Sequence, residues 1–76
     1  MPLAEQGSAA SQRLLGIMYS RGFGVPHDYV EAHKWVNLSI AAGHADAIKT
    51  RDHIAKKMSS TQITEAQQLA QEWKPK

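Results

Sequence analysis

The stretch SRGFGVPHDY, Ser20 to Tyr29, sets Gly22 and Gly24 around one aromatic residue and ends on Pro26, His27, Asp28 and Tyr29. Glycines so placed serve either a phosphate cradle or a turn. A cradle needs backbone N–H groups converging on an anion at a helix N-terminus, and it follows a β-strand. What precedes the stretch is helical instead. After Ser8, a suitable N-cap, the positions Ala9, Gln12, Leu15, Gly16 and Tyr19 recur at steps of three and four, predicting a helix over 9–21. Gly22 supplies its stop, and Pro26 disfavours helix at Val25. Asp28 then caps a second helix, with Glu31 three residues on completing a capping box. Its carboxylate takes the helix N-terminus where a phosphate would sit. The stretch reads as a turn between helices, with Phe23 and Val25 left to pack under or beside it.

The same logic runs outward. The second helix presents Tyr29, Ala32, Trp35, Val36, Ser39 and Ile40 to a core and ends at Gly43. A third is expected over 45–57, carrying Ala47, Ile48, Ile54 and Ala55. The run MSSTQI at 58–63 starts a fourth, over 60–73: Ser59 as N-cap, Gln62 at N3, and Met58 opposite Ile63 as a hydrophobic staple. Ile63, Ala66, Leu69, Ala70 and Trp73 form its apolar stripe, and residues 74–76 are a tail. No segment alternates as a strand does, so the expected class is all-α with about four helices in antiparallel pairs.

At 76 residues the chain holds one domain, and a chain of this size hides only about 60% of the surface it exposes when unfolded. Without cysteine there is no disulfide framework, thiol nucleophile or thiolate metal site. The N-terminus lacks the basic start and apolar run of a signal peptide or membrane span, so a soluble chain is expected, in a compartment the residues do not specify. Nine Lys and Arg against seven Asp and Glu give a net charge of +2. That excess is too small to imply nucleic acid, for which a dense basic face or interleaved aromatics would be needed. The cations Lys49, Arg51, Lys56 and Lys57 read first as a solvated face with local pairs such as Asp52 to Lys56.

Catalytic and metal chemistry find little support. The carboxylates Asp28, Glu31, Asp46, Asp52, Glu65 and Glu72 have ordinary capping or helix-surface roles, and no Gly-x-Ser-x-Gly elbow is present. The chain is therefore expected not to be an enzyme, and no cofactor is expected. His27, His33, His44 and His53 include no pair at the i,i+4 spacing of helical zinc ligands. They read as structural or solvent-exposed residues, and a metal or small-ligand site built on them is kept only as an alternative.

One repeat is visible. Gly7 and Ala9 recur as Gly43 and Ala45, each 36 residues later. Ala9, Gly43 and Ala45, together with Gln12, Leu15, Gly16, Tyr19, Gly22, Gly24, Val25, Asp28, Ala32 and Trp35, give a pattern that resembles the Sel-1-like repeat family. That family is a relative of the tetratricopeptide repeats, built of antiparallel helix pairs stacked into a right-handed α/α solenoid. The resemblance implies one module over 1–76: a repeat unit at 4–43, the first helix of the next unit at 44–58, and a C-terminal capping helix at 59–73. It also implies work in protein–protein interaction or scaffolding. Ser11 and Ser39 stand where the family usually has alanine, so each hydroxyl is expected to bond back to its own helix or reach solvent. About one and a half repeats is few, since solenoid units bury their apolar faces on one another. A C-terminal portion of a longer repeat protein, or a short self-associating relative, is implied.

In such stacks the first helix of each pair lines the concave side. Off its packing face, the first helix presents Arg13, Ile17 and Arg21, and 36 residues later stand Lys49, His53 and Lys57. Both sets step by four, and five of the six side chains can carry positive charge. They are the expected partner-binding residues, for a protein or peptide with acidic character. Leu14 and Met18, with Leu3 and Ile17, form a second stripe suited to a homodimer. Structural roles fall to Leu15, Gly16, Tyr19, Gly22, Gly24, Asp28, Ala32, Trp35, Gly43, Ser59 and Trp73, with Gly16 expected to meet Ala32 at a close helix contact.

Overall fold

The computed structural model describes residues 7–74, and these form an all-α structure of four helices. They are α1 (Ala9–Arg21), α2 (Tyr29–Ala41), α3 (Ala47–Ala55) and α4 (Ser60–Glu72). The starts follow local chemistry. The Ser8 hydroxyl accepts from the Ser11 N–H at α1, and Asp28 accepts from the Val30 and Glu31 N–H groups at α2. At α4 the Ser59 hydroxyl accepts from Gln62 N–H while the Gln62 amide oxygen accepts from Ser59 N–H, a complete capping box. At Asp28 the reciprocal half is missing, because its N–H donates to the Tyr19 carbonyl at 3.0 Å and Glu31 instead pairs with Lys34 at 2.8 Å. The Asp28–Tyr19 bond fastens the start of α2 beneath the end of α1. Gly22 has φ 72° and Gly24 φ 74°, left-handed values at which a Cβ is strained, so the opening stretch is the turn its flanks predicted.

α3 is shorter than expected at both ends. Asp46 caps it with helical dihedrals and no side-chain hydrogen bond, and the residues ahead of Ala47 form tighter turns in which Ala47 N–H donates to the His44 carbonyl and Ile48 N–H to the Ala45 carbonyl. The expected Asp52–Lys56 pair is replaced by a contact of 3.4 Å between Asp52 and its neighbour Arg51.

α2 is the central helix. α1, α3 and α4 all pack on it, and α1 also touches α3. One cluster joins buried Ala32, Val36, Ala47 and Ile54, with Tyr19, Tyr29, Ile40 and Met58 packed around them. A second joins Trp35 and Leu38 with Leu15, Tyr19, Ala70 and Trp73. Trp35 and Trp73 meet edge to face, their ring centroids 5.7 Å apart. Gly16 lies against α2 as expected, and a Cβ there would overlap Val36 Cγ2 and stand 2.9 Å from the Ala32 carbonyl oxygen.

Being enclosed on three sides, α2 buries more than one stripe. Leu38 and His33 are inside as well as the expected residues, so of the structural and solvent-exposed roles open to the histidines His33 takes the buried one. Ser39 also departs from expectation. Its hydroxyl neither bonds back nor reaches solvent but donates to the Ala9 carbonyl at 2.6 Å, tying the end of α2 to the start of α1. Phe23 is 61% exposed rather than packed on its loop, and Ile48 and Leu69 also face outward, off the apolar stripes assigned to them.

Candidate interaction groove

The register of 36 residues has a spatial consequence. α1 and α3 both run antiparallel to α2, hence parallel to each other, and the side chains they turn away from it line one groove. Arg13, Ile17 and Arg21 form one wall, and Lys49, His53 and Lys57 the other. All six residues singled out as partner-binding are thus brought together around a space of about 330 Å³. Buried Ile54 and half-buried Ile17 and Tyr29 supply its apolar part.

Ser20, Tyr29, Thr50 and Ile54 also line the groove and were not foreseen. Tyr29 belongs to α2 and enters because the Asp28–Tyr19 hydrogen bond sets the start of α2 below the end of α1. Only three-dimensional packing places it there, since a spacing rule acts within one helix.

The groove is electrostatically one-sided, because no Asp or Glu is among its lining residues. None of Arg13, Arg21, Lys49, His53 and Lys57 forms an ion pair among the described residues. Arg13 Nε is buried without a hydrogen-bond acceptor among them. The wall can thus hold carboxylate or another oxyanion at several points while the interior accepts an apolar group.

The other candidate residues lie elsewhere. Leu14 is 58% exposed on α1, whereas Met18 is half-buried with its methyl near Gly24, so the stripe is broken by the turn. Leu3 lies outside the described residues. Among the described residues no three His, Cys, Asp or Glu side chains come together as a metal site, and no helix is long and apolar enough to cross a membrane. His27 stacks edge-on against Tyr29, with centroids 4.4 Å apart. Burial pushes the His33 imidazole below its ordinary value. Arg51 adds to that shift and Asp52 opposes it. No protein-family model, no curated protein and no solved structure matches this chain.

Proposed function

We propose that the chain is a non-catalytic helical-repeat module of the Sel-1-like type that binds a protein partner through the α1–α3 groove. The observation that carries this reading is the convergence of two stripes, 36 residues apart in sequence, on one cationic groove with no carboxylate in its lining. The partner is an acidic segment, for which the groove's field raises association rate and selectivity. Titrating the isotopically labelled chain with a glutamate-rich peptide tests it by NMR. Amide shifts should concentrate at Arg13 to Arg21 and Lys49 to Lys57. Shifts confined to α4, or none at millimolar peptide, would remove the reading.

Self-association is the second reading, favoured by Leu14, a large apolar side chain left exposed on α1. Light scattering at ~100 μM should then report a dimer that Leu14→Glu dissociates, and a monomer at that concentration would exclude it.

A further inference from the structure

The groove's charges are not spread evenly, and their spacing specifies a pattern in the ligand. Along α1 the cations Arg13 and Arg21 stand eight residues apart, about 12 Å at 1.5 Å per residue, with apolar Ile17 midway. Lys49 on α3 and Lys57, two residues past the end of that helix, are also eight residues apart in sequence, with His53 midway between them. Because α1 and α3 run parallel in the 36-residue register, Arg13 shares one end of the groove with Lys49, and Arg21 shares the other with Lys57. Ile17 and Ile54 supply apolar surface between these two cationic poles, and Tyr29, at the start of α2, lines the groove near the Arg21 end.

The conformation of the occupant is set as well. A helical segment 12 Å long has only about eight residues, too few to hold a helix on its own in water. An extended strand advances about 3.3 Å per residue, so 12 Å corresponds to about four residues, and side chains two apart point the same way. We infer that the groove reads an extended peptide carrying carboxylates at positions i and i+4 with a large apolar side chain at i+2. One carboxylate meets Arg13 and Lys49, the other meets Arg21 and Lys57, and the apolar side chain enters between them. This rests on reading the groove as a partner-binding surface and adds the sequence pattern it selects.

The test is fluorescence anisotropy with three labelled peptides at ~50 mM salt: Ser-Glu-Ser-Leu-Ser-Glu-Ser, its isomer Ser-Ser-Leu-Glu-Glu-Ser-Ser, and the first with Leu replaced by Ser. The first should bind about tenfold more tightly than either of the others. Arg21→Glu, at an exposed position, should remove that preference. A first peptide with one of its two Glu changed to Lys should restore binding to this variant, for only one choice of Glu. Lys57→Glu serves the same purpose should Arg21→Glu fail to fold. Equal binding of the two isomers would overturn the pattern while leaving an acidic-partner groove intact. No binding of any peptide would overturn both. Displacement of the first peptide by a short oligodeoxythymidylate of higher affinity would assign the groove to nucleic acid and overturn the inference.

Discussion

Gly16→Ala is expected to destabilise the protein, although a glycine inside a helix normally gains from that exchange. Replacing a mid-helix glycine by alanine is worth about 1 kcal/mol in intrinsic propensity. At Gly16 the added Cβ would overlap Val36 Cγ2, stand 2.9 Å from the Ala32 carbonyl oxygen and lie 3.2 Å from the Val36 nitrogen. The Val36 side chain can turn aside. The two backbone atoms cannot, unless α2 moves as a body away from α1. Overpacking of this kind costs about 1–3 kcal/mol, and with two of three neighbours in the backbone the upper half of that range applies, leaving a net loss of about 1–2 kcal/mol. In a domain of this size that lowers Tm by roughly 5–15 °C. Thermal unfolding followed by circular dichroism at 222 nm measures it. In a Val36→Ala background the cost of Gly16→Ala should shrink, since one of the three clashes is gone, but not vanish. Gly16→Leu should abolish cooperative unfolding. A Gly16→Ala variant melting above the parent would refute the close α1–α2 contact.

Further outcomes follow from single bonds and groups. Ser39→Ala removes the bond to the Ala9 carbonyl and should cost about 1 kcal/mol by urea denaturation, with Ser39→Val costing more because it also crowds a fully buried position. Buried His33 has its folded-state pKa lowered, so the unfolded chain takes up a proton first as pH falls. Stability contributed by neutral His33 is complete above about pH 6.5, the unfolded value, and is lost as pH falls from there through the lowered folded value. A series of unfolding curves between pH 8 and 5 should show this decline. In His33→Gln it should be shallower, and an unchanged slope would show that His33 does not couple folding to pH.

The helix starts were legible because capping is local chemistry. Ser8, Asp28 and Ser59 bond to N–H groups two or three residues on, and Gly22 stops α1 by its own dihedral angles. α3 is shorter than its apolar pattern because i to i+3 bonds, Ala47 to His44 and Ile48 to Ala45 at one end and Lys57 to Ile54 and Met58 to Ala55 at the other, close tighter turns that no residue type announces. The burial of His33 and Leu38 was not legible, because a helix packed against three others keeps only a narrow polar strip, Glu31, Lys34 and Asn37, and its periodicity does not mark how far burial extends beside that strip. The opposite error fell on Phe23, Ile48 and Leu69, apolar residues that this small core does not cover. Ser39 looked like a mild exchange for alanine and proved to bridge two helices, a partner 30 residues distant that no local pattern encodes. Of the groove, the two walls were readable from the repeat register. The contributions of Tyr29, Ser20 and Thr50 depend on how α1, α2 and α3 meet.

The central claim is that α1 and α3 together form one cationic surface that holds an acidic partner. It is tested most directly by the affinity of a glutamate-containing peptide for a variant with Arg21→Glu, Lys49→Glu and Lys57→Glu, all at exposed positions. A second variant with Lys56→Glu and Lys74→Glu, exposed cations outside the groove, serves for comparison. The groove variant should keep a cooperative melt, lose at least about tenfold in affinity and lose most of its salt dependence, while the comparison variant stays within about threefold of the parent. Equal affinities of the two folded variants would contradict the account.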